Sequence, residues 1–369
     1  MYYKRYGNTD MMMSAVGLGT MRYDDEDVKA GRLEKCAEIP LYAYDKGINY
    51  FDSAPFYCMD KSEEITGIAI SQLPREKIYV SSKTNFDAIG GEKTRDAYRR
   101  RLELSLSRLK VDYLDFYHIW CILSPDSYRE HVEALYGFME EARAEGLIRN
   151  IVVSTHLQGR QIEDVVSDGK FKGILLGYNA LNYRFRQSGL EAAYQNGMGV
   201  VVMNPLGGGI IPQNPETFAY LAEGTDLTVA QAALRFVASH QEVTITLAGC
   251  TKKEHIDDAV KAVEGLVERP AREITAELDG RGVSINNLCT SCGYCNYCPE
   301  GIAIPKFMDA YNQKLLSGKD AAIPDQMRGY WDVPITDAKK CIRCGKCEGL
   351  CTQHLPIIER LAEIAAMAE

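Results

Sequence analysis

A chain of 369 residues, 46% hydrophobic and 25% charged, has room for one large domain and a smaller one and the make-up of a soluble globular protein. Its net charge of −9 argues against nucleic acid or an anionic membrane surface as a main partner. No apolar run reaches the roughly 18 residues of a membrane span. The mildly apolar stretch 11–21 follows Lys4 and Arg5, but Gly17, Gly19 and Thr20 interrupt it and no small-residue cleavage site follows. It reads as a buried strand and not as a secretion signal, so a cytoplasmic location is expected.

In chain order, "YYKRYGNTDMMM" carries Gly7-Asn8 between two short runs, a hairpin signal. Strands and helices then alternate. Strands are expected at 14–18, 49–52, 78–83, 114–118, 150–154, 174–178, 199–204 and 244–248, with the clearest helices at 94–109, 128–145, 228–239 and 252–264. Eight strand–helix units in about 250 residues predict a (β/α)8 barrel. An open doubly wound sheet is disfavoured, because no G-x-G-x-x-G follows an early strand.

The strand ends carry the chemistry. "INYFDSAPFY" ends a strand at Asp52 and is followed by Tyr57, while "KIYVSSK" ends at Lys83. A phenol is a weak acid with an ordinary pKa of about 10, and an ammonium beside it favours the phenolate. An aspartate paired with the lysine fixes its position. Such a phenol can donate a proton to a carbonyl oxygen as hydride arrives at carbon. The alternative is a surface aspartate, a core tyrosine and an unrelated lysine.

"FDSAPFYCMDKSEEITGIAI", "VSSK" and "SRLKVDYLDFY" resemble the aldo-keto reductase superfamily over roughly residues 1–265. The resemblance places Asp52, Tyr57 and Lys83 on three members of that family's catalytic tetrad, with the early hairpin plugging the barrel base. The family's histidine falls at Trp120 here, and His118 stands two residues earlier. His118 is therefore expected to point inward but deeper, as a substitute catalytic group or a hydrogen-bonded core residue, with Trp120 lining the substrate pocket. The resemblance also implies a nicotinamide cofactor, NADP(H) favoured over NAD(H), at Gly19, Thr20, Asp52, Ser154, Pro205, Leu206, Gly207, Gly208, Gly249, Thr251, Lys252 and His255. Two departures bear on it. Leu175 stands where many relatives have a carboxamide-binding glutamine, and the lysine near Gly249 and arginine near His255 that often hold a 2′-phosphate are missing. Flavin stays open as an alternative.

Eight of the twelve cysteines lie between residues 289 and 351, in the runs "CTSCGYCNYCP" and "CIRCGKCEGLC". Thiolates at i, i+3 and i+6 suit a metal centre better than a disulfide framework. The paired runs resemble two-cluster bacterial ferredoxins, in which the fourth cysteine of each run serves the other cluster. The resemblance implies two 4Fe-4S clusters, one on Cys289, Cys292, Cys295 and Cys351 and the other on Cys341, Cys344, Cys347 and Cys298. Two zinc sites are the alternative. The first run is one residue short before its last cysteine, and Thr352 stands where a proline is usual.

The expected organisation is thus a barrel over 1–270 and a ferredoxin-like iron–sulfur domain over 271–369. The expected function is hydride transfer between a nicotinamide and a carbonyl or alcohol, with Tyr57 as acid or base. The alternative is an electron-transfer protein, served by a redox partner, in a barrel that has lost reductase chemistry.

Overall fold

The computed structural model describes residues 1–87, 91–278, 288–290 and 292–368. The chain divides into two compact units, Met1–Pro205 with Ala230–Asp279, and Leu206–Val229 with Gly280–Glu369. A cut at residue 270 therefore differs on both sides. The segment 206–229 belongs with the tail, and helix Ala271–Leu278 belongs with the first unit, where the Ala271 N–H donates to Glu242 and Thr275 Oγ1 donates to Gln187.

The first unit opens with an antiparallel hairpin, Tyr3–Arg5 (β1) and Met12–Ser14 (β2). Eight parallel strands follow: Val16–Gly19 (β3), Tyr50–Asp52 (β4), Tyr79–Thr84 (β5), Leu114–Ile122 (β6), Ile148–Thr155 (β7), Gly173–Gly177 (β8), Gly199–Met203 (β9) and Ile245–Gly249 (β10). They close into a barrel in chain order, β10 pairing with both β9 and β3. Local chemistry sets the helix starts between them. Thr94 accepts from the Ala97 N–H to begin Arg95–Leu109, and Ser124 accepts from Ser127, with Pro125 at the first helical position, to begin Pro125–Ala144.

Alternate residues of each strand face the barrel interior. Tyr50, Phe116, Val152, Leu175, Val201, Ile245 and Leu247 form one apolar cluster there, joined by Tyr6 and Met13 from the hairpin. The Tyr6 ring lies where a Cβ on Gly173 or Gly199 would stand, so glycine at both positions makes the seat for the hairpin's plug. The buried Lys4 amine fixes the hairpin from the side, donating to the carbonyls of Ala238, His240 and Val243 and pairing with Glu268 at 3.2 Å.

The fourth barrel strand runs past the expected end at 118. It continues to Ile122 through an irregularity between Ile119 and Ile122, where Cys121 takes φ +64°. His118 therefore sits on regular, buried strand, and Trp120, also buried, lies within the irregularity.

In the second unit, helices Ile304–Ser317 and Ile357–Ala366 pack around Ile302, Phe307, Met308, Ile323, Leu355, Leu361 and Ile364. Cys289 and Cys295 are buried in the same cluster. No described helix is long and apolar enough to cross a membrane.

Candidate active site

Strand register puts the candidate residues side by side. Gly19 pairs with Asp52 and with Gly249, Asp52 with Ser81, and Lys83 with His118. Lys83 is fully buried; its ammonium donates to Asp52 Oδ2 at 2.6 Å and to the Ser53 carbonyl at 2.7 Å. Burial is the larger influence on Lys83 and pulls it below the ordinary lysine range, while the Asp52 carboxylate pulls the other way.

Ser81 was not among the candidates, and it joins them. Its hydroxyl donates to Asp52 Oδ1 at 2.9 Å and lies 3.0 Å from His118 Nε2. Ser81 is two residues before Lys83 and shares its inward face. His118, fully buried, is 3.9 Å from Asp52 Oδ1. Burial, helped by the Lys83 charge, holds the imidazole well below its ordinary pKa, so it is neutral. Its Nε2 contact goes to this buried network, at the depth expected for a residue two places before Trp120.

Tyr57 is only half buried. The Lys83 ammonium lies 5.3 Å from its ring centre, and Trp120 meets the ring edge-on at 5.8 Å between centres. The turn that presents Tyr57 is strained. Phe56, Cys58, Met59 and Asp60 have φ of 67°, 50°, 55° and 63°, which non-glycine residues adopt at a cost on the order of 1 kcal/mol each. Side chains hold it. Arg108 clamps Asp60 at 2.9 and 2.8 Å, and Asp60 accepts from the Phe56 N–H. Cys58 Sγ accepts from the Tyr23 N–H and donates to the Met21 carbonyl at 3.0 Å. Burial pushes that thiol up to about 11, which suits a structural role.

A model of the Aldo/keto reductase family matches residues 15–276. The chain belongs to the aldo/keto reductase family. It is 28% identical to an NADH-specific methylglyoxal reductase of Escherichia coli over 56% of this chain and 67% of that one. It is 32% identical to a glyoxal reductase of Bacillus subtilis, over 62% and 76% respectively. A crystal structure of a thermostable aldo-keto reductase with the inhibitor epalrestat superposes with a TM-score of 0.63 and 27% identity, covering 76% of this chain and all of that one. The chain is therefore an oxidoreductase enzyme.

The remaining candidates of this aldo/keto reductase fall into four places. Ser154, near the end of β7, is buried with a hydroxyl that has no hydrogen-bond partner among the described residues, an orphaned group of the kind a bound carboxamide satisfies. Leu175 beside it in register belongs to the apolar cluster. Thr20 donates to the Asp52 carbonyl. At the end of β10, Thr251 and His255 touch through their N–H, hydroxyl and Nδ1 groups at 3.4 Å, and Lys252 caps helix Lys253–Ala262. Arg22, absent from the candidates, runs beside Gly249, its Cδ 4.0 Å from where a Cβ would stand. Only the folded β3 end brings it there, so no local pattern announced it. Pro205 ends the first unit's segment. Leu206, Gly207 and Gly208 belong to the second unit, where Gly207–Gly209 form a tight turn with φ of 63°, 74° and 101°.

The tail lies beyond the family match. Its eight cysteines line two cavities. Cys298, Cys341, Cys344 and Cys347 line one of about 410 Å³ including its mouth, and Cys289, Cys292 and Cys351 line another of about 320 Å³. Cys295 borders both. Asn312 holds Cys289 by both its backbone N–H and carbonyl, the Leu355 N–H donates to Cys351 Sγ, and Thr352, in the place of the missing proline, sets its hydroxyl 3.6 Å from Cys292 Sγ. Burial and the neighbouring Cys292 and Cys351 push Cys295 up to about 12. None of the twelve cysteines is joined in a disulfide. Among the described residues no three His, Cys, Asp or Glu side chains are gathered closely enough to hold a single metal ion.

Proposed function

We propose that this enzyme transfers hydride between a nicotinamide cofactor and a small carbonyl or alcohol substrate, with Tyr57 as the general acid or base. The observation that carries this is the buried Lys83–Asp52 pair with the Lys83 ammonium turned toward the Tyr57 ring. A reduced nicotinamide supplies the hydride. Tyr57 gives its proton to the substrate oxygen, and Lys83 stabilises the charge left on the phenol. Asp52 holds Lys83. Ser81 holds Asp52 and the neutral His118 backs Ser81, so His118 acts as a positioning residue. Trp120, edge-on to Tyr57, limits the pocket to compact substrates. A dicarbonyl of the methylglyoxal or glyoxal type, named for two relatives, fits this description. Ser154 would receive the carboxamide, and Gly19, Thr20 and Gly249 would line the cofactor's path. Arg22, Thr251, Lys252 and His255 would meet its phosphates, with NADP(H) ahead of NAD(H) and the glycine turn Leu206–Gly208 as a further phosphate contact.

We propose further that the tail is ferredoxin-like and holds two 4Fe-4S clusters, on Cys289, Cys292, Cys295 and Cys351, and on Cys298, Cys341, Cys344 and Cys347. Support comes from the grouping of these thiols around two spaces, which suits a cluster better than a lone zinc ion. Thiols this crowded cannot all ionise without a positive core between them. Cysteines outside any disulfide fit a reducing, cytoplasmic setting.

The test is an anaerobic titration of the holoprotein with NADPH and with NADH, followed by turnover of methylglyoxal. Tyr57→Phe should lower kcat by about 10²–10⁴-fold with unchanged cofactor affinity. Near-normal turnover would overturn the role of Tyr57. Failure to bind either nicotinamide would favour the electron-transfer alternative, with flavin the next cofactor to try.

A further inference from the structure

Resting on the two-cluster proposal, we infer that the surface around Cys341–Leu350 is a docking site for an acidic one-electron carrier protein. The two cysteine-lined spaces differ in depth. Cys289 and Cys295 are 7% and 8% exposed, whereas Cys344 lies on the surface. Around the outer space stand three exposed apolar side chains: Tyr297 at 75%, Ile342 at 60% and Leu350 at 39%. Large apolar groups encircling a thiol-lined cavity are a desolvating ring of the kind found at protein contacts.

The charges around that ring have one dominant sign. Arg343 and Lys346 line the cavity itself, and Lys339 and Lys340 end the 3-10 helix Ile335–Lys340 just before Cys341. Of these four cations only Lys340 has an ion-pair partner among the described residues, Asp337 at 2.8 Å. The nearby acids are few: Glu348 is occupied by the Ile358 N–H at 2.8 Å, and Glu300 follows Cys298 by two residues. Local positive charge on a chain of net charge −9 marks this face out. It would steer an acidic protein and set its redox centre over the outer cluster, while the chain's overall charge disfavours an anionic membrane.

The step balances simply. The reduced carrier loses one electron and the outer cluster gains it, with no proton or bond transferred. Cys295, bordering both spaces, places the inner cluster next in line.

The experiment begins with anaerobic holoprotein whose iron, sulfide and electron paramagnetic resonance are measured. Binding of an acidic plant-type 2Fe-2S ferredoxin is then followed calorimetrically, with basic cytochrome c and phosphatidylserine vesicles as comparisons. Binding should weaken about tenfold or more as salt rises from about 20 to 200 mM. Arg343→Glu with Lys346→Glu should weaken it about tenfold, and so should Lys339→Glu with Lys340→Glu, which lies outside the ligand run and keeps the test valid if the first pair loses iron. Ile342→Ser should cost a few-fold. Clusters present with ferredoxin affinity unmoved by either charge reversal would overturn the docking site alone. So would cytochrome c binding as well as ferredoxin, or vesicles binding tightly and losing that binding in the same variants. Absence of clusters would overturn the two-cluster proposal and the docking site with it.

Discussion

The barrel centre and the tail both bury groups that would rather face water, and they solve the problem in opposite ways. In the barrel, Lys83, Asp52, Ser81 and His118 satisfy one another at 2.6–3.0 Å through their own side chains. In the tail, eight cysteines line two spaces. Polar groups that are already mutually satisfied are built to act on a visitor; groups gathered around a gap are built to be completed by one. The barrel should therefore fold and pair its charges without help, and the tail should not.

The largest effect expected is at the barrel centre. Lys83→Met leaves Asp52 buried without its cation and should cost about 3–5 kcal/mol of stability in urea unfolding along with turnover. A loss below about 1 kcal/mol would show that the pair is not the keystone of the site. The tail's counterpart is Cys341→Ser, which should remove about half of the bound iron while the barrel's unfolding midpoint stays put. Loss of barrel stability in parallel would mean the two regions are not independent in this sense. Ser81→Ala takes a donor from Asp52 and a partner from His118, and should cost about 1–3 kcal/mol of stability with a fall in kcat and little change in KM.

Acid should single out the barrel unit as well. His118 is held well below its ordinary pKa, His156 is pushed to about 3 and His240 to about 4, all by burial. In each case the unfolded chain takes up the proton first, so stability rises with pH. The contribution is intact above about pH 6.5 and falls by up to about 1.4 kcal/mol per pH unit for each histidine below it. His240→Gln should flatten that slope between pH 6.5 and 4.5; an unchanged slope would remove His240 from the account. The smallest effect expected is at the turn that presents Tyr57. Arg108→Met releases Asp60 from its half-buried clamp and should cost about 1 kcal/mol of stability but several-fold in kcat, with Arg108→Lys recovering part of it. An unchanged kcat would show that the left-handed turn keeps its shape without the clamp.

The barrel was legible because its signals are local and periodic. Each strand is a short apolar run closed by a turn, and the order of strands in a parallel barrel follows the order in the chain. The triad Asp52, Tyr57 and Lys83 was legible for the same reason, since strand ends meet at one rim. Ser81 was hidden because serine two residues before a lysine carries no mark of its own; only the pairing of β4, β5 and β6 makes it a bridge. Arg22 was hidden because its neighbour Gly249 is more than two hundred residues away in sequence. The strained turn at Phe56–Asp60 ran against expectation outright. Phenylalanine, cysteine and methionine give no left-handed signal, and the turn exists because Arg108, Tyr23 and Met21 hold it from outside. The division expected at 270 differs from the two compact units because helix Ala271–Leu278 follows helix Lys253–Ala262 without any change of composition, and only its contacts with Glu242 and Gln187 assign it.

The seat of the hairpin has a consequence in time. Tyr6 rests against Gly173 and Gly199, Lys4 binds carbonyls at 238–243, and β3 pairs with β10 through Val16 and Thr246. Residues 4–16 are thus partners of residues made some two hundred positions later. The nascent barrel cannot seal its floor until nearly all of that unit has emerged, and every earlier intermediate carries an open sheet edge beside an unplugged apolar interior. Contacts of such long sequence separation slow folding and lengthen the exposure of sticky surface, so this chain's yield during synthesis should depend on chaperone supply more than its finished stability would suggest.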